Sequence, residues 1–280
     1  MTITAKVLAD TINPYTDQRI TTFVLHYPRT PVHEQFLMHR GISRSVASAR
    51  AINIDKMIRA VLDDPAYPVD VRMNQKGMQG YKTAGPDEEA TTMRVWQDWL
   101  KHSVAAAIQL KSIGIHKQTV NRLLQPFSHV DVIATATDWP YFFALRLADD
   151  VQPEMRILAQ TMFEAISQST PVESDLHLAF VTDEERATLR NVDGTEVPDD
   201  KLLCISAARC ARVSYANHLG EHPTQEEDLA FAARLWTSKH RTPFEHSAMS
   251  LVENDANRNF IGWQSARSYF EEVDDGNDIL

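Results

Sequence analysis

The sequence is poor in cysteine, in net basic charge and in long apolar runs. Its 280 residues include two cysteines, Cys204 and Cys210, whose spacing matches neither a CxxC motif nor paired zinc ligands, so we expect reduced, packed thiols. The formal net charge of −10 argues against non-specific nucleic-acid binding, because that binding needs a basic face that displaces counterions. Every apolar run is far shorter than the ~20 residues that span a bilayer, which argues against membrane insertion.

The first residues of the chain lack the apolar stretch of a signal peptide, and the sequence contains no internal repeats. We therefore expect a soluble, cytoplasmic protein. Because 43% of the residues are hydrophobic, a chain of this length can bury a proper core, either as one large domain or as two modest ones.

The basic residues that are present are concentrated in residues 38–50. This segment contains three arginines, one histidine and three serines, and it contains no acid. Arginine presents a planar fork of donors that matches phosphate oxygens, and serine hydroxyls and backbone N–H groups at a helix start add directed donors. The segment therefore predicts a phosphorylated ligand. The alternative is a solvated basic turn on an acidic protein, because a single short motif produces false matches.

The same segment resembles the signature RHRxxSxNExSxR of flavin-dependent thymidylate synthases. The matching residues are His39, Arg40, Ser43, Ser48 and Arg50. Three positions depart from the signature, where the arginine, asparagine and glutamate of the family are replaced by Met38, Ser45 and Val46.

Three further segments resemble parts of the same family. Residues 121–126, which contain Arg122, are similar to the segment whose arginine lies at the nucleotide phosphate, and Leu145-Arg146 with residues 152–154 is similar to the segment with the arginine at the pyrimidine. Residues 240–246 are similar to the HxTPFEH element, and residues 211–215 precede it at a fitting distance.

The order of these segments differs from that of typical family members, in which the HxTPFEH element precedes the arginine-rich signature. Here it follows the signature, so the resemblance implies a circularly permuted relative of the kind that phage genomes carry, acting in the host cytoplasm. Such a permutation is plausible because domain termini often lie close together at the surface. The resemblance covers residues 20–165, with the signature and nucleotide-binding segments, and residues 200–265, the permuted segment. Residues 170–200 stay unexplained.

The resemblance implies an α/β (α+β) fold in which helices pack on a mostly antiparallel sheet. It also implies one catalytic domain over residues 1–280 and a homotetramer whose subunits share active sites. The activity implied is transfer of a one-carbon unit from methylenetetrahydrofolate to C5 of dUMP, giving dTMP. In this family the reducing equivalents pass from NADPH through FAD. Neither cysteine lies in the sequence setting of the nucleophile of other thymidylate synthases.

The resemblance also assigns residues to each ligand. The positions associated with the flavin are His39, Arg40, Ser43, Ser214, His240, Thr242 and Glu245. The positions associated with deoxyuridylate are Gln35, Ser48, Arg50, Arg122 and Arg146. Among these, Arg146 is implied to be catalytic, since it polarises the pyrimidine carbonyl and favours charge build-up at C5.

The residues themselves leave alternatives open. A buried, unpaired guanidinium is costly, so Arg146 also fits a structural salt bridge with Asp149, Asp150 or Glu154. Met38 and Val46 replace a charged arginine and a charged glutamate of the family. These replacements leave three alternatives open: a dCMP substrate, a hydroxymethylated product, or a non-catalytic relative that retains the nucleotide pocket.

A second motif, His218–His222, matches the HxxEH pattern of some zinc peptidases. Zinc binding requires both imidazoles on one face of a stable helix, yet Gly220 interrupts the motif and Pro223 follows it. Thr224 and Glu227 then form a predicted capping box that starts the next helix. We therefore predict no metal ligands in this sequence.

Residue periodicity places the motifs on structural elements. It predicts a β-hairpin from strands at 2–12 and 20–27, and a further strand near 130–135. Helices are predicted at 32–40, at 54–62 after an Asn53 cap, at 87–113, after Asp138, and at 153–166. The basic segment after Gly41 is expected to be a loop, and residues 63–82 a surface excursion.

Overall fold

A five-stranded sheet forms the centre of the fold in the computed structural model, which describes residues 1–77, 80, 82–191, 193–214 and 223–273. Its strands are β1 (Thr4–Ile12), β2 (Arg19–Pro28), β3 (Ser43–Val46), β4 (His129–Ala136) and β5 (Val172–Glu173). They lie in the order β3-β4-β2-β1-β5, and each pair of neighbours is antiparallel except β1 and β5. Helices packed on mostly antiparallel strands confirm the predicted α+β class.

A second sheet of three strands lies beside the first in the order β10-β7-β6, and a short hairpin, β8 and β9, adjoins it. The strands of this part are β6 (Leu176–Leu178), β7 (Ser247–Ser250), β8 (Ala256–Asn257), β9 (Phe260–Ile261) and β10 (Trp263–Ser265). The tip of the β1–β2 hairpin is attached here, because the buried Asn13 amide donates to the carbonyls of Leu251 and Gly262, at 2.9 and 2.6 Å.

Helices cover both sheets. They are α1 (Arg29–Leu37), α2 (Ile54–Asp63), α3 (Pro86–Ser112), α4 (Lys117–Val120), α5 (Trp139–Arg146), α6 (Pro153–Ser167), α7 (Asp183–Thr188), α8 (Asp199–Ser214), α9 (Gln225–Thr237) and α10 (Ala266–Val273). Short 3₁₀ turns lie at Asn121–Leu123, Gln125–Phe127 and Thr242–Glu245. Within the described ranges, no helix has the length and apolarity needed to cross a membrane.

Local hydrogen bonds explain where several helices begin. The Asn53 side chain accepts from the backbone N–H of Asp55, and the Asp138 side chain accepts from that of Tyr141. At α9 both halves of the predicted capping box are present, with Thr224 and Glu227 each accepting from the other's backbone N–H. These predicted helix starts are confirmed. The helix predicted at 32–40 lies in α1 (Arg29–Leu37), whose backbone is non-helical at Thr30, and it ends at Leu37, earlier than predicted.

The two faces of the central sheet have different chemistry because side chains alternate along each strand. One face is apolar and packs against α1, α5 and α6, with Phe23, Leu25, Tyr27, Val130 and Val132 in its core. The other face meets the second sheet through a chain of buried side-chain hydrogen bonds of 2.7–2.9 Å. In order, this polar chain joins Thr11, His177, Thr22, Thr135, His246 and Ser45.

Both cysteines lie on α8, where each is buried as a free thiol. Burial raises the pKa of each thiol, so neither is a thiolate near neutral pH. This confirms the expectation of reduced packing residues.

Candidate functional site

The basic segment 38–50 contains a strand and is not a loop throughout. Gly41 turns the chain with φ +73°, and residues 43–46 then pair with β4 as β3. The expectation of a continuous loop was wrong because the two inward serines are buried and both form hydrogen bonds. Ser45 hydrogen-bonds with His246 at 2.8 Å, and Ser43 accepts from the Asn259 amide at 3.0 Å.

A cavity of about 360 Å³ opens where β3 ends. We call it the arginine pocket, and its lining residues are Arg29, Val46, Ala47, Ser48, Ala49, Arg50, Gln118, Arg122 and Gln125. It brings together three residues that the sequence assigned to the nucleotide phosphate, Ser48, Arg50 and Arg122. Its volume falls within the range of small-molecule sites, ~300–1,000 Å³.

Buried Asn121 holds the two halves of the arginine pocket together. Its amide nitrogen donates to the carbonyl of Ala49 at 2.8 Å and to that of Ile52 at 3.0 Å. Lys117 adds a bond to the Ala51 carbonyl at 2.9 Å. The chain that follows β3 is thereby fixed against the segment that contains Arg122.

Arg29 is a pocket residue that the sequence did not reveal. Its Nη2 donates to the Ala47 carbonyl at 3.0 Å, while its buried Nε has no hydrogen-bond partner among the described residues. Burial lowers the pKa of this guanidinium. A buried unsatisfied donor on a cation favours an anionic partner. Arg29 and Gln118 lie outside every recognised motif, and Gln125 lies in the matched segment 121–126 without an assigned role, so no sequence signal identified them as pocket residues.

Arg146 and His39 form a second part of the site. Arg146 Nε donates to His39 Nε2 at 2.6 Å, and the His39 ring lies edge-on to Phe142 with centroids 4.9 Å apart. Burial, followed by the charges of Arg146 and Arg44, lowers the pKa of His39 to about 4. The ring is therefore neutral near pH 7 and acts as an acceptor. Arg146 lies at the C-terminal end of α5, where the helix dipole favours a cation.

Two of the salt bridges considered for Arg146 are not formed. Asp149 pairs with Arg156 at 2.8 Å, and Glu154 accepts from the backbone N–H of Val69 at 3.1 Å. The partner of Arg146 is the His39 ring instead. Gln35, one turn before His39, donates to the Gln152 side chain at the start of α6.

A second cavity of about 400 Å³ contains residues assigned to the flavin. We call it the His240 pocket, and it is lined by Arg44, Ser45, Val46, Ala211, Leu235, Lys239, His240, Thr242 and Pro243. Val46 lines both cavities, so the His240 pocket and the arginine pocket adjoin at the end of β3.

Other predicted flavin residues have different surroundings. Glu245 is bound by Arg267, whose Nη1 lies 2.5 Å from the Glu245 Oε1. Arg40 is exposed, and Ser43 is buried against Asn259. Ser214 is the last residue of α8, and its side chain lies outside the described part of the structure, as do residues His218–His222.

A larger cavity, of about 730 Å³, lies elsewhere. It is formed by β1, the end of α6 and residues 172–186, which belong to the segment that the sequence left unexplained. Its lining includes three acids, Asp10, Asp183 and Glu184, and one arginine, Arg186. Because phosphate recognition relies on cations, the arginine pocket fits the predicted anionic ligand better than this larger cavity.

Comparisons with known proteins identify the fold. No model of a known protein family matches the sequence, and no curated protein sequence matches it. A solved structure of the UMP/dUMP methylase PolB from Streptomyces cacaoi, bound with 5-Br dUMP, is similar with a TM-score of 0.50 and 15% identity. The similarity covers 60% of this chain and 90% of PolB. A second PolB structure, bound with 5-Br UMP, has a TM-score of 0.48 and 15% identity. This match covers 60% of this chain and 89% of PolB. The first shows that this chain shares PolB's fold over that region.

Proposed function

We propose that this protein is an enzyme that transfers a one-carbon unit from methylenetetrahydrofolate to C5 of a pyrimidine deoxynucleotide, in a flavin-dependent reaction that converts dUMP to dTMP. The observation that carries the proposal is the arginine pocket. Ser48, Arg50 and Arg122 come from distant segments, were assigned to the nucleotide by resemblance, and line one cavity. PolB, which shares the fold, is a UMP/dUMP methylase whose structure contains 5-Br dUMP, and this supports the same substrate class here.

In this proposal the arginine pocket binds the phosphate of dUMP. Arg29, Arg50 and Arg122 supply charged donors, and Arg29 Nε is a buried donor available for an oxygen atom. Charge-assisted hydrogen bonds of this kind are roughly twice as strong as neutral ones. These residues anchor the substrate and contribute binding more than chemistry.

Arg146 would act at the pyrimidine ring. Its Nε is occupied by His39, which fixes the guanidinium plane and leaves the other N–H donors for a substrate carbonyl. A fixed cation facing that oxygen stabilises negative charge as it builds up on the ring and at C5. His39 is then a positioning residue, because it accepts from Arg146 and holds its orientation.

The His240 pocket fits part of a flavin cofactor. Arg44 and Lys239 provide positive charge, while His240 and Thr242 provide hydrogen-bonding groups in a cavity smaller than a whole dinucleotide. Bound FAD supplies the reducing equivalents, which come from NADPH. A homotetramer with shared sites would provide the remaining contacts from a neighbouring subunit, in the permuted thymidylate synthase-like fold that the resemblance implies.

Val46 supports a second candidate within the same chemistry. It lines both cavities at the position where the resembled family has glutamate, so an apolar side chain replaces an acid between the two ligands. That change favours altered recognition of the base, and dCMP or a hydroxymethylated product is the second candidate.

A product assay tests both candidates. Purified protein is incubated with FAD, NADPH, methylenetetrahydrofolate and either dUMP or dCMP, and the nucleotide is analysed by mass spectrometry. Conversion of dUMP to dTMP supports the first candidate. A product of dUMP that is heavier than dTMP by one oxygen atom, or any conversion of dCMP, supports the second candidate. Nucleotide binding without product under all these conditions would leave a non-catalytic nucleotide-binding relative.

A further inference from the structure

Two histidines and two aspartates meet where β2 ends and β4 begins. His26 on β2 is paired in register with Asp131 on β4, and His129 lies two residues before Asp131, hence on the same face. The two imidazole rings stack with centroids 4.8 Å apart and planes inclined by 10°. Asp64, directly after α2, completes the group from outside the sheet.

The potential ligand atoms of this group converge. One nitrogen from each of His26 and His129 and one carboxylate oxygen of Asp64 lie within 4.8 Å of one another. In a tetrahedral zinc site with bonds of ~2.0–2.1 Å, ligand atoms are about 3.3 Å apart. Closing the group around an ion therefore requires the ligand atoms to approach by about an ångström. It also requires the two rings to rotate out of their parallel stack, because the lone pair of each imidazole nitrogen lies in its own ring plane.

An unsatisfied nitrogen provides independent evidence. The His129 side chain is 6% exposed, and its Nε2 is buried without a hydrogen-bond partner among the described residues. The nearest acidic oxygen, Asp64 Oδ2, lies 3.9 Å away, which is too long for a hydrogen bond. A buried polar atom of this kind is uncommon, and a bound ion is one way to satisfy it.

Asp131 orients the other histidine in the way seen at metal sites. Its Oδ1 lies 2.7 Å from His26 Nδ1, so this nitrogen carries the proton and Nε2 presents its lone pair. The Asp64 carboxylate also accepts from the Met1 amino group at Oδ1, 2.9 Å, and from the Thr2 N–H at Oδ2, 3.0 Å. Each oxygen has two lone pairs, so Oδ2 can still bind an ion.

We propose that His26, His129 and Asp64 bind a divalent transition-metal ion of the Zn²⁺ type, with Asp131 as a positioning residue and water as the fourth ligand. Two imidazoles and one carboxylate suit Zn²⁺ better than Mg²⁺ or Ca²⁺, which prefer oxygen ligands alone. The ion joins β2, β4 and the end of α2. This site uses none of the residues of the proposed C5 transfer, so it stands independently of that function.

The test is a titration of the full-length, chelator-stripped protein with Zn²⁺ by isothermal titration calorimetry. Co²⁺ absorption in the visible range serves as a second readout of nitrogen ligation. We expect one equivalent to bind, and we expect binding to be lost in His26→Ala and in His129→Ala. Asp131→Asn should keep one equivalent but weaken binding about 10–100-fold, as expected for the partner of a metal-bound histidine.

Two control variants separate this site from other histidines. His102→Ala removes an exposed histidine of α3 and should bind Zn²⁺ like the wild type. The double variant His218→Ala/His222→Ala removes the HxxEH histidines and should also retain the ion. The proposal is overturned if the wild type binds no stoichiometric Zn²⁺, if His26→Ala and His129→Ala bind it normally, or if only the double variant loses it. Circular dichroism checks folding, and if an alanine variant unfolds, His26→Asn replaces it.

Discussion

The Nε of Arg146 donates a 2.6 Å hydrogen bond to the Nε2 of His39, so a residue assigned to the nucleotide directly contacts a residue assigned to the flavin. The contact links the end of α5 to the segment just before β3. Because the acceptor ring is neutral, Arg146 retains its full charge for a ligand. The orientation of Arg146 and the state of His39 are therefore coupled.

Arg146→Ala should remove the cation that we propose faces the pyrimidine carbonyl. We expect kcat to fall by about 10²–10³-fold, the usual cost of losing one donor that stabilises developing negative charge. The matched control is Arg156→Ala, because Arg156 on α6 pairs with exposed Asp149 in the turn before that helix. Steady-state kinetics should show normal turnover for the control, and thermal melting should show that both variants are folded. Equal turnover in the two variants would contradict the role of Arg146.

His39 should support activity as a neutral acceptor. Since burial and the neighbouring arginines lower its pKa to about 4, protonation breaks the bond to Arg146 only as the pH approaches 4. The acid limb of the kcat profile should therefore lack a group titrating near 6.5, the ordinary value for histidine. His39→Gln, which keeps an acceptor, should retain more activity than His39→Ala. Identical losses in both variants would show that acceptance from Arg146 is irrelevant.

The arginine pocket should control affinity for the phosphate. We expect Arg29→Ala, Arg50→Ala and Arg122→Ala each to weaken dUMP binding by about 10–100-fold, since a hydrogen bond to a charged group is worth about 1.5–3 kcal/mol. Calorimetric titration with dUMP measures the loss, and Arg94→Ala, which changes an exposed residue of α3, serves as the control. Deoxyuridine, which lacks the phosphate, should bind these variants and the wild type alike. A similar loss for both ligands would indicate a general structural defect.

The buried histidines His177 and His246 should make the protein sensitive to acid. Burial lowers the pKa of each to about 3, whereas the unfolded value is 6.5, so the unfolded state binds more protons between these limits. Stability is complete above pH 6.5 and is lost as the pH falls toward 3. Because the unfolded state takes up a proton at each histidine, the free energy of unfolding at pH 5.5 should be lower than at neutral pH by about 1.4 kcal/mol for each of the two.

Urea denaturation at pH 7.5, 6.5 and 5.5 measures this loss. His177→Asn should be less stable at pH 7.5, because it breaks the polar chain, but its stability should fall less steeply with acid. His102→Ala removes an exposed histidine and should keep the slope of the wild type. A steep acid loss in His177→Asn equal to that of the wild type would show that His177 is not responsible.

Local signals allowed much of the fold to be predicted from the sequence. The caps at Asn53 and Thr224, and the helix that starts after Asp138, were identified correctly because each start depends on hydrogen bonds within a few residues. The strand within the basic segment was missed because its partner β4 lies far along the chain, and its inward serines give no apolar alternation. Pairing between distant segments is set by tertiary contacts that short sequence windows do not contain.

The candidate site shows the same division. Motif resemblance identified Ser48, Arg50 and Arg122, which line one cavity, and Arg146, which lies beside His39. It did not identify Arg29, whose pocket position follows from the packing of α1 against the chain after β3. Whether Arg146 forms a salt bridge could not be decided from the sequence, because other groups compete for the carboxylates of Asp149 and Glu154.

Flavin chemistry at the adjoining pockets is tested most directly by the visible absorption spectrum of the protein with FAD. The protein is reduced anaerobically with NADPH, and dUMP and methylenetetrahydrofolate are then added. The account predicts that FAD binds, that NADPH bleaches its absorption, and that the absorption returns only when both substrates are present. An absence of FAD binding at any concentration, or reoxidation that does not depend on the nucleotide, would contradict it.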